Sequence, residues 1–210
     1  MSRYYPLMVQ LEGRLCVVVG GGTVAERKVE GLLAAGASVT VISPAFTDGL
    51  TRLAEGGEII VRKRLYCTGD LRGACLVYAA TDNPSVNRLV LGDAEQLGIW
   101  VNAADAPEAG SFVTPASVRR GDLLLSVTAS GASPLLASRI REELAQRYGP
   151  EYEHLTAWLG ELRRRVHQLD EPASIRRAML QRALDMDPSW WQPVQSEDKW
   201  QQLLDRLRPL

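Results

Sequence analysis

Residues 15–25 read Leu-Cys-Val-Val-Val-Gly-Gly-Gly-Thr-Val-Ala, and this stretch decides the fold. Its first five residues form an uninterrupted apolar run, which is typical of a strand buried on both faces of a parallel sheet. The glycines open a helical pattern over residues 23–35 that Gly36 ends, and residues 39–43 form the next apolar run. Strand, glycine-rich turn, helix and strand within about 30 residues predict a βαβ unit.

Strand and helix patterns continue to alternate along the chain to about residue 127. Further strands are predicted at 58–62, 75–79, 99–102 and 123–127, and a helix with Asn83 as its cap at 84–97. Strands that alternate with helices form an open, mostly parallel sheet. The sequence therefore predicts an α/β fold of the Rossmann type.

The glycine-rich turn matches the pattern G-x-G-x-x-G/A, with Ala25 in the last place. It follows a strand and opens a helix, which is the context that a dinucleotide-binding turn requires. Gly20 permits the tight turn, Gly22 lets a pyrophosphate approach the backbone, and Ala25 lets the helix pack against the sheet. An ordinary glycine-rich turn is the alternative. We predict dinucleotide binding through Gly20, Gly21, Gly22, Thr23 and Val24, because free N–H groups at a helix start attract phosphates.

The second strand ends at Ser43-Pro44-Ala45, where an NAD site usually carries Asp or Glu for the ribose 2′-hydroxyl. Neither acid is present, and no arginine follows directly to favour a 2′-phosphate. We expect NAD as the cofactor, with Ser43, Pro44 and Ala45 beside the adenosine ribose.

The pattern changes after Ser133, where strands give way to helices. Helical spacing appears at about 134–148, 151–169, 173–185 and 197–207. The chain is therefore predicted to end in a small all-helical domain.

Composition argues against several classes of protein. The 210 residues carry a net charge of −1, so no global field attracts nucleic acid or an anionic membrane. Cys16, Cys67 and Cys75 have spacing that suits neither a disulfide framework nor a zinc site. The first seven residues lack a signal-peptide pattern, and no apolar run reaches the roughly 20 residues that a membrane span needs. We expect a cytoplasmic protein with reduced thiols and no permanent metal site.

Several short segments together resemble the precorrin-2 dehydrogenase/sirohydrochlorin ferrochelatase family, the amino-terminal type of siroheme synthase. They cover about residues 5–145 in the family's order and spacing. The segments are Tyr5-Pro6-Leu7, Val18 to Gly22 with Val24-Ala25 and Arg27-Lys28, Ala79-Ala80-Thr81-Asp82 with Asn87, Val101 to Asp105, Ser111-Phe112 with Pro115, and Ser133-Pro134 before Arg139-Ile140-Arg141.

The resemblance implies a Rossmann domain at 1–113, a dimerisation and substrate segment at 114–149 and a helical domain at 150–210. It also implies a homodimer that oxidises precorrin-2 to sirohydrochlorin with NAD. Some members of the family insert ferrous iron as well. Two alternatives stay open: a regulatory module that binds NAD without catalysis, and a dehydrogenase of another small substrate.

Asp105 is the candidate catalytic residue. It follows the strand at 99–102, at the end where ligands bind in open α/β sheets, and it matches the family's key acid. Its carboxylate would accept the proton released in the oxidation. A local turn with Ala106-Pro107 is the structural alternative. Thr81, Asp82 and Asn102 are expected to contact the cofactor.

The expected substrate carries eight carboxylates and calls for fixed cations, for which arginine is suited. Candidate substrate contacts are Ser130, Ser133, Arg119, Arg120 and Arg139, although Ser133 also reads as a helix cap. Where many members of the family carry a serine linked to the active site, this chain has Ala129. Tryptophans 158, 190, 191 and 200 are candidates for packing against a flat macrocycle, or for the core.

Overall fold

The computed structural model describes residues 4–187, 190, 194 and 196–209. The chain divides into two compact units, Met1–Thr114 and Pro115–Leu210. The three-part division with a dimerisation segment at 114–149 stays a prediction.

The first unit contains a five-stranded parallel sheet, which confirms the predicted Rossmann-type fold. The strand order is β3-β2-β1-β4-β5. The strands are β1 (Leu15–Val19), β2 (Ser38–Ile42), β3 (Ile59–Arg62), β4 (Leu76–Ala79) and β5 (Trp100–Ala103). Because β1 pairs with both β2 and β4, the chain reverses its direction of travel across the sheet at β1. Open α/β sheets bind ligands at the carboxyl ends of the strands at such a switch point.

Successive residues of β1 enter two different cores, which explains its uninterrupted apolar sequence. Cys16 and Val18 pack in one cluster with the helix α1 (Thr23–Leu33). Val17 and Val19 pack in the other with α3 (Pro84–Gln96). A strand covered by helices on both faces has no polar side, so every residue in it is apolar.

One helix of the first unit was not predicted. The helix α2 spans Asp48–Glu55, and the side chain of Thr47 caps it by accepting a hydrogen bond from the Leu50 N–H. Its eight residues are too few for clear periodicity, and Gly49 weakens the helical pattern. Leu50 is its buried residue and anchors it to the sheet.

The prediction that Leu123–Val127 continues the parallel sheet is wrong. This strand, β7, pairs antiparallel with β6 (Ala116–Arg120) in a separate two-stranded sheet in the second unit. Only Gly121 and Asp122 separate the two strands, and so short a connection permits only antiparallel pairing. The residues of β7 are half-buried or exposed, unlike those of the central strands of the parallel sheet.

The other regular elements that the structure describes in the second unit are helices, as expected. The helices are α4 (Pro134–Arg147), α5 (Glu151–Gln168), α6 (Ala173–Leu184) and α7 (Glu197–Leu207). The last three enclose a core that includes Trp158, Leu162, Met179 and Leu203. Trp191 lies outside the described residues. Within the described part of the chain, no helix is both long and apolar enough to cross a bilayer.

Candidate active site

A cavity of about 790 Å³ opens in the first unit at the carboxyl ends of the parallel strands. Its lining brings together most of the residues predicted from the sequence. They are Gly20, Gly21, Gly22, Thr23, Val24, Ser43, Pro44, Ala45, Thr81, Asp82 and Asp105. The parallel strand order explains this convergence, since every loop that follows a strand leaves the sheet at the same edge.

Two of the three glycines are required by the packing of the backbone. Gly20 has a φ of +130°, and a Cβ there would collide with the carbonyl of Ala80. A Cβ on Gly21 would collide with the Ala45 carbonyl oxygen and press on the Ser43 side chain. Gly20 also donates a backbone hydrogen bond of 2.9 Å to the carbonyl of Ile42. The turn therefore packs tightly between the ends of β2 and β4.

Gly22 differs, because a Cβ there would meet nothing within 4 Å. It is the N-cap of α1 and gives that helix no side-chain hydrogen bond, whereas Thr47 and Asn83 cap α2 and α3. The first N–H groups of α1 therefore lie beside open space at the positive end of the helix dipole. This arrangement fits the pyrophosphate of a dinucleotide.

A hydrogen-bond network holds the loop after β4. The Asn87 side-chain oxygen accepts from the Thr81 N–H at 3.2 Å and from the Thr81 hydroxyl at 2.7 Å. The Asn87 amide donates to the Thr81 carbonyl at 3.0 Å. Asn87 is almost fully buried on α3, so this network fixes Thr81 and places Asp82 at the cavity.

Two carboxylates line the cavity from neighbouring strands. Asp82 follows β4 and Asp105 follows β5, and both side chains are exposed. The backbone beside Asp105 is held by the Ala104 N–H, which donates to the Ala79 carbonyl at 2.9 Å. A carboxylate that reaches solvent in a cofactor-sized cavity can accept a proton from a bound substrate.

One wall of the cavity was not predicted from the sequence, and it is formed by Leu65 and Tyr66 after β3 and by Phe46 after β2. The Tyr66 hydroxyl donates to Asp93 Oδ2 at 2.6 Å. Burial, followed by the hydrogen bond to Asp93, raises the pKa of Tyr66. The sequence could have predicted this wall, because β3 is parallel to β2 and the residues that follow the two strands must leave the sheet at the same edge.

Asn102 does not line the cavity, and its expected contact with the cofactor stays a prediction. The side chain is buried, and its amide donates to the Phe112 carbonyl at 2.9 Å. Its neighbours Val101 and Ala103 fill the core that packs against α3, and Asn102 points to the opposite face of the sheet. Its observed contact ties the segment after β5 to the sheet.

The five predicted substrate contacts all lie in the second unit. Arg120 is already engaged, since Nε donates to the Tyr148 carbonyl at 3.1 Å and Nη2 to the Ala145 carbonyl at 3.3 Å. Ser133 is the N-cap of α4, as the structural alternative predicted. Its hydroxyl accepts from the Leu136 N–H at 3.2 Å.

The other three candidates are exposed. Arg119 lies on β6, and Arg139 forms an exposed ion pair with Glu143 on α4. Ser130 has a φ of +53°, a conformation that serine rarely adopts. Its backbone N–H donates to the Thr128 hydroxyl. Among the residues that the structure describes, no cluster of three or more His, Cys, Asp or Glu side chains could hold a metal ion.

Comparisons with known proteins agree with this geometry. Residues 7–116 match a family model described as NAD(P)-binding. A precorrin-2 dehydrogenase from Priestia megaterium is 33% identical over 181 residues, which are 86% of this chain and 89% of that protein. The solved structure of SirC, a precorrin-2 dehydrogenase, superposes with a TM-score of 0.77 at 31% identity and covers 97% of this chain and 98% of its own.

Longer relatives match over a smaller share of their length. A siroheme synthase from Methylobacillus flagellatus is 40% identical over 163 residues, which are 78% of this chain and 35% of that protein. The siroheme synthase 1 of Aeromonas salmonicida is 38% identical over 184 residues, 88% of this chain and 39% of that protein. The chain thus spans less than two fifths of these synthases. By its fold, its glycine-rich turn and these relatives, the chain belongs to the precorrin-2 dehydrogenase and siroheme synthase family.

Proposed function

We propose that this protein oxidises precorrin-2 to sirohydrochlorin with NAD⁺. The observation that carries the proposal is the convergence of the open helix start at Gly22 and the Asp105 carboxylate on one cavity. The helix start at Gly22 suits the pyrophosphate of a dinucleotide, and the Asp105 carboxylate suits proton transfer from a substrate beside it. Relatives named precorrin-2 dehydrogenase supply the substrate class.

The reaction removes two electrons and two hydrogens from the macrocycle. When bound, NAD⁺ supplies the acceptor for the hydride, and this chemistry belongs to the cofactor. The protein must hold the substrate, orient it and receive the remaining proton. We assign proton acceptance to the carboxylate of Asp105, because it lies in the cavity and is open to solvent.

The chain's preference for NAD over NADP is also part of the proposal. Ser43, Pro44 and Ala45 line the end of the cavity that follows β2, and none of them carries a cation. A 2′-phosphate would need such a cation for tight binding. The Ser43 hydroxyl is a neutral partner for a ribose hydroxyl at this position.

Arg119 and Arg139 remain our proposed partners for substrate carboxylates, since both guanidinium groups are exposed. We also propose a homodimer that works in the cytoplasm, where its free cysteines stay reduced. Iron insertion stays a prediction from the family resemblance. The Ala129 side chain offers no oxygen at the position where the family resemblance implies a serine.

The test is anaerobic incubation of the protein with precorrin-2 and NAD⁺, following NADH and sirohydrochlorin together. Asp105→Asn should lower kcat by about 10²-fold or more, as expected for loss of a general base. Its NAD⁺ dissociation constant should stay within about threefold, since the backbone supplies the phosphate contacts. Glu108→Gln is the matched control, because Glu108 is exposed nearby and does not line the cavity.

The outcomes separate the alternatives. If the parent protein forms no product but binds NAD⁺, the chain is a regulatory module rather than a dehydrogenase of this substrate. If NADH forms only with another hydroxylated or reduced substrate, the substrate assignment is wrong. If Asp105→Asn retains full activity, another group or water takes the proton.

A further inference from the structure

The cavity at the carboxyl ends of the strands, called the dinucleotide cavity below, has one wall made of Phe46, Leu65 and Tyr66. We call it the β2–β3 wall, because these residues follow β2 and β3, whereas Asp105 follows β5. In the sheet, β1 lies between these two sides and leads into the glycine-rich turn. A dinucleotide with its pyrophosphate at Gly22 therefore extends one half toward Asp105 and the other toward the β2–β3 wall. Because the reacting nicotinamide belongs beside Asp105, the wall receives the purine base.

Leu65 is the exposed apolar residue of this wall. It lines the cavity, yet it is 68% exposed. Its carbonyl oxygen is already engaged, since Arg64 Nη1 donates to it at 3.0 Å. The side chain of Leu65 is therefore what remains for contact with a ligand. Removing its apolar surface from water against the flat face of a base is favourable.

The loop that carries Leu65 is held on both sides of it. On the amino-terminal side, Arg64 donates to the two carboxylate oxygens of Asp70 at 2.7 Å and 2.6 Å. On the carboxyl-terminal side, the Tyr66 hydroxyl donates to Asp93 Oδ2 at 2.6 Å. The path of the backbone at Leu65 is thus set before any ligand arrives. A pre-organised contact costs less conformational entropy when the ligand binds.

The polar side chains on this side of the cavity are engaged elsewhere. The Tyr66 hydroxyl donates to a carboxylate of α3, and the Thr47 hydroxyl oxygen accepts from the Leu50 N–H as the cap of α2. The charged residues in the described lining are Asp82 and Asp105, which follow β4 and β5. Adenine and hypoxanthine differ in the hydrogen-bonding groups at one edge but share a flat face. Strong discrimination between such ligands needs hydrogen bonds to the edge, whereas packing on the face tolerates both.

We propose that Leu65 holds the purine of the dinucleotide by apolar packing and that no side chain of the β2–β3 wall reads the edge of the base. The protein therefore accepts a nicotinamide dinucleotide in which hypoxanthine replaces adenine. This inference rests on the proposed binding of NAD⁺. Its test measures affinity rather than turnover, so the substrate assignment does not enter.

Titration calorimetry of the full chain with three ligands tests the proposal. They are NAD⁺, nicotinamide hypoxanthine dinucleotide, and ADP-ribose, which keeps the adenosine half and lacks nicotinamide. The parent protein should bind the two dinucleotides with dissociation constants within about threefold of each other. Leu65→Ala should raise the dissociation constants of all three ligands by the same factor, about fivefold or more, because each loses the same apolar contact.

Further variants separate binding from folding. Leu65→Ala should keep the unfolding temperature of the parent, since the side chain that it shortens is exposed. Leu65→Met preserves the apolar contact and should bind all three ligands as the parent does. Leu97→Ala is the matched control, because Leu97 is also an exposed leucine of the first unit but lies at the end of α3 and does not line the cavity. It should leave every affinity unchanged.

The outcomes distinguish this inference from the function on which it rests. If the parent binds none of the three ligands, the proposed NAD⁺ binding is itself wrong. If the parent binds NAD⁺ and Leu65→Ala binds it equally well, the base lies elsewhere and the role of Leu65 is overturned. If the hypoxanthine dinucleotide binds about tenfold more weakly than NAD⁺, a group of the protein reads the edge of the base, and the proposed tolerance is overturned.

Discussion

The side chain of Asn87 both accepts from and donates to the backbone of Thr81, at 3.2 Å and 3.0 Å. A residue buried on α3 thereby sets the path of a loop at the edge of the dinucleotide cavity. The amide does this with both of its ends, since its oxygen takes two hydrogen bonds and its nitrogen gives one. A carboxylate or an aliphatic side chain of similar size does not offer both.

Asn87→Leu should therefore weaken cofactor binding as well as stability. The change keeps the branched shape of the side chain, with bulkier methyl groups, but leaves the Thr81 backbone groups without their partner, which costs about 1–3 kcal/mol. We expect the dissociation constant for NAD⁺ to rise about tenfold, equivalent to about 1.4 kcal/mol. Cofactor titration and urea unfolding measure the two effects. Arg88→Ala, an exposed change on the same helix, should alter neither. Unchanged affinity in Asn87→Leu would show that the loop keeps its path without the network.

Alanine at Gly21 and at Gly22 should give opposite results. At Gly21 the new Cβ collides with the Ala45 carbonyl oxygen, so unfolding free energy should fall by about 1–3 kcal/mol. At Gly22 the Cβ meets open space and φ is −86°, so stability should change by less than about 0.5 kcal/mol. The same methyl group should weaken NAD⁺ binding at least tenfold, because a pyrophosphate must approach that backbone. Full NAD⁺ affinity in a stable Gly22→Ala would place the pyrophosphate elsewhere.

Acid stability should depend on Asp70, in the loop after β3. Arg64 donates to its two oxygens at 2.7 Å and 2.6 Å, and this hydrogen bonding lowers the pKa of Asp70 to about 2. Because the folded-state pKa lies below the usual value, the stabilisation is present above about pH 4 and is lost as pH falls toward 2. Because solvent screens the exposed arginines, Asp70→Asn should cost about 1 kcal/mol at pH 7, and that difference should shrink below pH 4.

Urea unfolding from pH 7 to pH 2.5 measures this dependence. Asp122→Asn, in the exposed turn between β6 and β7, is the control and should follow the parent at every pH. A difference between Asp70→Asn and the parent that is constant across the range would mean that the ion pairs with Arg64 do not couple to folding.

The three cysteines should react with a disulfide reagent at very different rates. Cys67 is exposed, whereas Cys16 is fully buried with its sulfur 3.9 Å from that of Cys75. Burial raises the pKa of Cys16 to about 12, which lowers its thiolate fraction at neutral pH by about 10³-fold. We expect one fast thiol per chain, and Cys67→Ser should remove that phase. A fast phase that survives this substitution would mean that Cys75, which is half-buried, or Cys16 also reacts quickly, and the prediction of one fast thiol would be wrong.

The Rossmann architecture was readable from the sequence because its signals are local. Each of these signals depends only on nearby residues, as the apolar run at 15–19, the three glycines and the helix end at Gly36 show. The hairpin of β6 and β7 was missed because Leu123–Val127 alone resembles a buried strand. The partner strand at 116–120 and the turn Gly121-Asp122 carried the missing information.

In the candidate site, too, the positions set by nearby residues could be predicted, and the contacts between residues far apart in the sequence could not. Ser43 and Asp105 lie just past the observed ends of β2 and β5, and both line the cavity. Asn102 lies within β5 rather than after it, so strand alternation decides its face, and its partner Phe112 could not be read from the pattern. The bond between Tyr66 and Asp93 joins residues 27 positions apart and depends on how α3 packs.

The three adjacent glycines are therefore under different structural constraints. At Gly20 and Gly21 the neighbouring backbone leaves no room for a side chain, whether or not a ligand is bound. At Gly22 the fold leaves room for a side chain, so only a ligand at the start of the helix constrains this position. In a descendant that had abandoned its cofactor, selection would keep the first two and release the third. Position 22, rather than the glycine-rich turn as a whole, is then the place to look for lineages in which this fold has been recruited to another purpose.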